Sequence, residues 1–206
     1  MIYVRDDDVL ISSRAFPEPV EKFKQVHRWI CQSDRFLHVP GLLFHHCIED
    51  DVPGLLVYPE AIEFIKEETA AGRMVPEIHG WEHVDYGQVP TWKVRDHLKR
   101  CKEFFHEELD HTPTKWFTPW GAKDVRLKQA AEDEELLLVG TNNTHRLKGD
   151  SGVCNQLKNG RDLSYMEGQW ILYHWHDGGI RLNRAIKAGA YGSWAAAAKA
   201  EPEVYK

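Results

Sequence analysis

Two histidines and a glutamate stand close together in the stretch EIHGWEH, which covers residues 77–83. His79 and His83 are four residues apart, and Glu82 directly precedes the second of them. Neutral imidazole is the commonest side-chain ligand of transition metals, so this spacing indicates a metal site. The string fits two patterns. As H-x-x-x-H it is half of a metal site, and as H-x-x-E-H it is the inverted zinc-peptidase signature with Glu82 as general base.

An acidic run and a second histidine pair offer further groups with matching chemistry. Asp6, Asp7 and Asp8 end a short β-type stretch, and adjacent carboxylates at a buried strand end are costly unless a cation offsets them. His174 and His176 stand two residues apart in QWILYHWHDGG, so they face the same side of a strand. Two histidines and a carboxylate around a metal with open positions form a catalytic arrangement, in which further groups can serve as base and acid.

Strands and helices are predicted to alternate along the chain. The predicted strands are residues 1–10, 41–46, 74–80, 114–122, 136–143 and 169–179. The predicted helices are residues 18–32, 58–73, 92–110 and 124–134, with further helix after residue 183. This alternation predicts a parallel sheet within one α/β domain covering residues 1–206, either doubly wound or closed as a barrel. In both architectures function collects where strands end, which is where the aspartates, both histidine pairs and Trp120 stand.

Composition and charge argue against several classes of function. The 206 residues are 42% hydrophobic and carry a formal net charge of −6, which suits a packed core and gives no basic surface for nucleic acid. The four cysteines are isolated, which argues against a zinc ribbon or a redox pair. No apolar run is long enough to span a membrane, and the first residues contain no signal peptide, so we expect a cytoplasmic protein.

Four segments, in order, resemble the motifs of the polysaccharide deacetylases, the NodB-homology or carbohydrate esterase family 4 group. They are RDDDV at residues 5–9, HGWEH at 79–83, FTPWG at 117–121 and HWHDGG at 174–179. The resemblance implies an irregular (β/α) barrel in which seven strands are expected. It also implies a metal-dependent hydrolase that removes an N-acetyl group from an amino sugar. With no export signal visible, we expect its substrate to be an intracellular saccharide intermediate.

The acidic run can be matched to the Asp-Asp pair of the family in two registers. In the first, Asp7 is the general base that activates a metal-bound water, and Asp8 is a metal ligand. Val9 then takes the place that follows the pair in relatives reading R-x-D-D-V, so we adopt this register. In the second register, which stays open at the level of sequence, Asp6 is the base and Asp7 the ligand.

The resemblance implies roles for the other matching residues as well. His79 and His83 become ligands of one divalent metal ion, with zinc as the default and cobalt or nickel able to use the same ligands. The backbone N–H of Trp120 becomes a donor to the oxyanion of the tetrahedral intermediate. His176 becomes the general acid that protonates the departing amine, and His174, which stands where the family usually has Leu, competes for that role.

The sequence departs from the family pattern at three places. The third motif usually begins with an arginine that orients the base, and Phe117 stands there instead. Arg5 lies two residues from Asp7, on the same face of the predicted strand, and is our candidate substitute. Gly80 replaces the Ser or Thr that usually follows the first histidine, and the acidic-Trp fourth motif has no counterpart better than GTNNTH at residues 140–145. We therefore expect a divergent, compact member of the family.

Two other functions remain possible from the sequence. The zinc-peptidase interpretation needs residues 77–83 to form a helix, whereas Pro76 and Gly80 favour a loop after a strand. The other function is a catalytically degenerate module of the same fold, which binds a sugar without hydrolysing it. The arginine missing at Phe117 is its best support.

Six other histidines are not expected to take part in the chemistry. His45 and His46 end a predicted strand, where they could line the rim of the site, and are interpreted as structural groups. Four others stand in helical or loop stretches without partners and are predicted to lie at the surface: His27, His97, His106 and His111.

Overall fold

The computed structural model of the protein describes residues 2–9, 18–31, 36–48, 51–139 and 170–174. Strands β1 to β7 are Ile2–Val9, Phe36–Cys47, Val52–Pro53, Glu77–His83, Lys115–Phe117, Leu137–Val139 and Trp170–His174. Helices α1 to α4 are Pro19–Ile30, Pro59–Ala70, Thr91–Leu109 and Val125–Asp133. Short 3-10 turns cover Leu55–Val57 and Pro119–Gly121.

Local chemistry explains where several helices begin and end. Pro59 starts α2, where its fixed φ suits a first helical turn. Asp124 caps α4 by accepting the backbone N–H of Leu127 at 2.7 Å. Asp110 ends α3 in a left-handed conformation with φ of 48°. Buried apolar residues recur every three or four positions along α3, so that one face packs on the sheet: Val94, Leu98, Cys101, Phe105 and Leu109.

The strands form a sheet in the order β6-β5-β4-β2-β1-β7, and each neighbouring pair in this order is parallel. The short strand β3 pairs antiparallel with the end of β2. The sheet curls as a half-barrel with helices between its strands, so the predicted α/β class and irregular (β/α) barrel are confirmed. The count of seven barrel strands stays a prediction, as does the single domain over residues 1–206.

Two strands extend beyond their predicted bounds. β2 begins at Phe36, although Pro40 is a poor strand residue, because residues 36–40 pair with residues 2–6 of β1. β4 continues past Gly80 to His83, because Glu82 and His83 pair with the end of β2. Local sequence indicates a break in both cases, and strand pairing overrides it. The predicted C-terminal helix lies outside the described residues.

One large core cluster lies between the sheet and the helices. Its members come from α1 (Phe23, Val26), β4 (Ile78), α3 (Phe105) and β5 (Trp116), and each of these side chains is fully buried. Burying such side chains is the main favourable term in folding. None of the helices in the described ranges combines the length and apolar character needed to cross a lipid bilayer.

The surface prediction is wrong for His27, which is only 1% exposed and lies in a buried chain of polar contacts. Its Nε2–H donates to Oε2 of Glu68 at 3.0 Å, and its Nδ1 lies 3.0 Å from Nδ1 of His38. Nε2 of His38 in turn lies 3.4 Å from Oδ2 of Asp6. Arg73 binds Glu68 through two hydrogen bonds and holds the pKa of that carboxyl below its ordinary value.

Three more histidines can be compared with the surface prediction. His97 is also buried and contradicts it, because its side chain points toward the core and meets the Tyr86 hydroxyl. His111 is half-buried and His106 is exposed, as predicted for the latter. In the sequence, a histidine on the core-facing side of an amphipathic helix cannot be told from one on the exposed side. Whether such a histidine is buried depends on the polar partners that the fold brings to it.

The stability of the metal-free protein is expected to fall as the pH drops below 6.5, the ordinary pKa of histidine. Burial lowers the pKa of His27 below that value and the pKa of His38 well below it. Unfolding returns both imidazoles to water, so the unfolded chain binds more protons at mildly acid pH. Stability is therefore fully present above pH 6.5 and decreases below it. Urea unfolding between about pH 8 and pH 5 measures this slope.

Two variants separate the buried histidines from the rest of the protein. His106→Gln changes an exposed histidine and is expected to leave the slope unchanged. His27→Gln is expected to make the slope of stability against pH shallower, because an amide replaces the titrating ring of His27. A free energy of unfolding that stays level down to about pH 5 would contradict the neutral buried state.

Candidate active site

The predicted base and the first predicted metal ligand meet at a glycine in β2. A Cβ atom on Gly41 would lie 3.2 Å from Oδ1 of Asp7, 3.2 Å from Cδ2 of Phe117 and 3.3 Å from Cβ of His79. These three side chains come from β1, β5 and β4, so they converge over the strand that runs between β1 and β4. Glycine inside a strand often marks such a close approach, because any side chain would occupy the space.

The acidic run lies in a β-bulge. Asp6 pairs with Pro40 and Val9 pairs with Leu42, so three steps along β1 match two steps along β2. One extra residue therefore stands in β1 between these pairs, where Asp7 and Asp8 are located. Bulges bend a strand and redirect its side chains, and they are frequent next to active sites. The side chain of Asp8, the predicted metal ligand, lies outside the described part of the structure.

Asp6 and Asp7 have different surroundings, although both are fully buried. Asp6 contacts His38, which belongs to the polar chain that leads to α1 and α2. Asp7 lies over Gly41 beside His79. Alternation along a strand sends neighbouring side chains to opposite faces, which explains the difference. Asp7 is thus the described aspartate of the run that lies next to the predicted metal-ligand histidine.

Arg5 binds Asp7 with both arms of its guanidinium group. Its Nε donates to Oδ1 at 2.7 Å, and one terminal nitrogen donates to Oδ2 at 2.5 Å. The guanidinium carbon lies 4.1 Å from the ring centroid of Phe117, a cation–π contact. The candidate substitute for the family arginine therefore does contact the predicted base.

His79 and His83 come together although they belong to a strand. In a regular strand, four residues span about 13 Å, whereas the two ring centroids are 5.4 Å apart. One step on β2, from Leu42 to Leu43, matches two steps on β4, from Ile78 to Gly80, so His79 is the extra residue of a second bulge. His79 is 2% exposed, and its carbonyl oxygen accepts the indole N–H of Trp116 at 3.1 Å.

Glu82 is engaged outside the histidine pair. Its Oε2 accepts a hydrogen bond from Nζ of Lys93 at 3.1 Å, and Nε2 of His97 lies 3.8 Å away. The zinc-peptidase interpretation needs residues 77–83 in a helix with Glu82 free to act as base. The observed strand and the Lys93 contact disagree with both requirements.

Gly80 differs from the usual family residue for a steric reason. A Cβ atom on Gly80 would lie 2.9 Å from the carbonyl oxygen of Glu82 and 3.0 Å from the hydroxyl of Tyr86. That hydroxyl accepts the backbone N–H of Trp81 at 3.2 Å and lies 3.1 Å from Nδ1 of His97. Burial raises the pKa of Tyr86 well above its ordinary value, so the hydroxyl stays protonated and can donate to His97.

Replacing Gly80 with alanine is expected to destabilise the protein by about 1–3 kcal/mol, because the new methyl group must displace backbone and the buried tyrosine. Urea unfolding measures the change. Gly87→Ala is the matched control, since there a Cβ would meet only the exposed carboxylate of Asp85, at 3.0 Å. Equal stability of the two variants would contradict the packing argument.

Trp120 stands in a turn with an unusual backbone. Its φ is 59°, in the left-handed region, which costs a residue other than glycine about 1–2 kcal/mol. Hydrogen bonds from Gly121 N–H to the Thr118 carbonyl at 3.1 Å and from Thr118 Oγ1 to the Ala122 carbonyl at 2.7 Å support this turn. The indole is 67% exposed, and its ring centroid lies 5.7 Å from that of His83. Strained backbone is typical of functional sites.

The last strand brings the predicted acid segment to the same edge of the sheet. His174 is the register partner of Asp7 in the parallel pair of β1 and β7. The side chain of His174 and all of His176 lie outside the described residues. Their predicted competition for the role of acid therefore stays a prediction.

The donor set fits a divalent metal ion in its chemistry. Two imidazoles and a carboxylate are a common ligand set for catalytic zinc, and His79 and His83 already lie side by side. Among the described side chains, no group of three or more histidine, cysteine and acidic residues is placed to hold a metal. Asp8, the predicted third ligand, does not belong to those described side chains.

One segment of the chain matches the model of a known protein family. Residues 57–139 match the family model described as polysaccharide deacetylase. This segment contains the histidine pair on β4 and the Trp120 turn after β5. No curated protein matches the chain at a significant level.

Solved structures share the fold at low sequence identity. A CE4 family pseudoenzyme from Bacillus anthracis superposes with a TM-score of 0.51 and 14% identity, over 91% of this chain and 59% of its own. The family 4 carbohydrate esterase from Streptomyces lividans, in complex with acetate, superposes with a TM-score of 0.52 and 14% identity, over 96% of this chain and 84% of its own. Peptidoglycan deacetylase PdaC from Bacillus subtilis superposes with a TM-score of 0.53 and 13% identity, over 100% of this chain and 81% of its own. The chain thus spans about three fifths of the length of the pseudoenzyme.

The predicted resemblance is therefore confirmed by two comparisons, the family model and the solved structures. The family model covers the second and third motifs, and the neighbours share the curled parallel sheet that holds the first. The departures at Gly80 and Phe117 have local steric and electrostatic explanations in Tyr86 and Arg5. The chain thus contains a segment that matches the polysaccharide deacetylase family model, within a fold that carbohydrate esterase family 4 proteins share.

Proposed function

We propose that the protein is a metal-dependent carbohydrate deacetylase, a hydrolase that cleaves the amide C–N bond of an N-acetylated amino sugar. The observation that supports this most directly is the meeting of Asp7 and His79 at Gly41. There a buried carboxylate from β1 lies beside His79, one of the two paired imidazoles of β4, with β2 between the two strands. A base next to a metal site is the usual arrangement for hydrolysis at neutral pH.

One divalent ion would be held by Asp8, His79 and His83, with zinc as the default and cobalt or nickel as alternatives. When bound, the ion supplies Lewis acidity, which polarises the acetyl carbonyl and lowers the pKa of water. The proximity of the two histidine rings, 5.4 Å between centroids, supports this ligand set.

Asp7 is the proposed general base. It takes a proton from the water that adds to the acetyl carbonyl, while Arg5 keeps the carboxylate in one orientation. A base must lie within hydrogen-bond reach of the proton that it removes, so a fixed position matters. The adopted register, with Asp7 as base, is supported by the separate attachment of Asp6 to His38 on the other side of β1.

The oxyanion donor and the general acid are assigned to residues at the edge of the sheet where the strands end. The backbone N–H of Trp120 is the proposed donor to the oxyanion, held by its left-handed turn beside His83. His176, with His174 as the alternative, would give a proton to the nitrogen as the C–N bond breaks, which releases acetate and the free amine. The register of His174 with Asp7 supports a position of this segment near the base.

A saccharide substrate agrees with the exposed indole of Trp120, whose flat apolar face lies next to the histidine pair. Aromatic rings combine an apolar face with defined geometry, which suits the apolar face of a sugar. Trp81, by contrast, is stacked between Phe44 and His45 and is already used in packing.

Elemental analysis and an acetate assay on the purified protein test this proposal together. We expect about one zinc, cobalt or nickel ion per chain, its loss in Asp8→Ala, and release of acetate from N-acetylglucosamine oligosaccharides. The catalytically degenerate sugar-binding module is the alternative. Absence of metal even after zinc is added, with sugar binding retained, would establish that alternative and overturn the proposal.

A further inference from the structure

We infer that Arg5 is a positioning residue for the proposed base, and that Arg5, Phe117 and Gly41 together aim one oxygen of Asp7 toward His79. This inference rests on the proposed function. Its starting point is a fully buried guanidinium that binds both oxygens of a fully buried carboxylate. Bidentate pairing of this kind restricts orientation as well as distance.

The Arg5–Asp7 pair is poorly suited to holding the fold together. Its members stand two residues apart on one strand, so the ion pair itself bridges no two strands, and the link from Arg5 to β5 is its separate contact with Phe117. Removing two charges from water is costly, and an apolar pair of similar volume is often as stable or more stable. A buried ion pair within one strand is therefore better explained by the site that it serves.

Phe117 restrains the guanidinium group from the neighbouring side. Its ring centroid lies 4.1 Å from the guanidinium carbon, and Arg5 is 0% exposed. A guanidinium stacked on an aromatic ring keeps its plane, and its donors stay in one direction. The aromatic residue at the start of the third motif thus fixes the orientation of an arginine that comes from β1.

The direction of the carboxylate follows from these contacts. Oδ1 of Asp7 accepts from Nε of Arg5 at 2.7 Å, and it is also the atom 3.2 Å from the Cβ position of Gly41. His79 approaches the same position from β4, with its Cβ at 3.3 Å. Oδ1 is therefore turned toward β2 and β4, and it is the oxygen that we assign to proton transfer.

The kinetic constants of Arg5→Lys test the inference, with acetate release from N-acetylglucosamine oligosaccharides as the assay. Lysine keeps the charge but has no two-armed donor, so kcat is expected to fall about 100-fold while KM changes little. The kcat of Arg5→Ala is expected to fall at least as far. Part of that kcat is expected to return when guanidinium ion is added at non-denaturing concentration. A merely structural arginine would not give this rescue.

Lys115→Met is the matched control. Lys115 pairs at 2.9 Å with Glu77, another fully buried carboxylate, which also accepts from Thr114 and from the Lys115 backbone. We expect its kcat to stay near that of the wild type and to show no response to guanidinium.

The outcomes separate the two proposals. Wild-type protein that releases no acetate would overturn the proposed function and this inference with it. Active wild type together with an Arg5→Lys variant of unchanged kcat would overturn the positioning role alone. If Arg5→Ala does not fold, the kcat of Arg5→Lys decides the question.

Discussion

Replacing Asp7 with asparagine is expected to reduce acetate release about 1,000-fold, within the range that general bases contribute. The amide is nearly the same size as the carboxylate but cannot accept the proton from water. Metal content is expected to stay at the wild-type level, because Asp7 is not one of the proposed ligands. Turnover is measured as acetate released, and metal by elemental analysis of the same preparation.

The asparagine variant also leaves the Arg5 guanidinium buried without its counter-charge, which costs about 3–5 kcal/mol in comparable pairs. The double variant Arg5→Met with Asp7→Asn removes both charges and is expected to recover most of the lost stability. Its activity is expected to stay as low as that of Asp7→Asn. Turnover close to wild type in either variant would assign the base to another group and reopen the register that uses Asp6.

Replacing His79 with alanine is expected to remove the metal, from about one ion per chain to less than about a tenth. His79 is nearly fully buried and its ring lies beside that of His83, so the variant loses one of the two imidazoles that lie together. Activity falls with the metal. Elemental analysis after dialysis against zinc measures the effect.

His111→Ala is the control for this experiment. His111 is half-buried and stands before β5, at the end of the sheet opposite to the histidine pair. It is expected to keep its metal, although a truncated half-buried ring costs some stability. Equal metal content in the two variants would remove His79 from the ligand set.

Much of the fold and the identity of the site residues could be predicted from the sequence. Apolar periodicity predicted α1 to α4 within a few residues, since a helix needs one apolar face toward the sheet. The alternation of strands and helices predicted a parallel α/β sheet, and the resemblance of the ordered motifs implied its barrel form. His79, His83 and the aspartates were chosen by residue type and spacing, which are properties of the sequence itself.

Tertiary structure alone decided how these residues meet. Irregularities in the register against β2, among them the bulges at Asp7 and Asp8 and at His79, redirect side chains that regular strands would hold apart. Neither bulge can be seen in the sequence, because each depends on the register of a strand pair distant in the chain. Gly41 carried only the weak signal of a glycine at the start of a predicted strand.

The sequence by itself determined which chemical groups are available and which elements carry them, because residue type and periodicity are local properties. The tertiary structure decided which side of β1 each aspartate occupies, since Asp6 meets His38 and Asp7 meets Arg5. It also decided that His27 is buried rather than exposed. The physical reason is the same in each case: burial and pairing depend on partners from distant segments, and the free energy of a buried polar group is set by those partners.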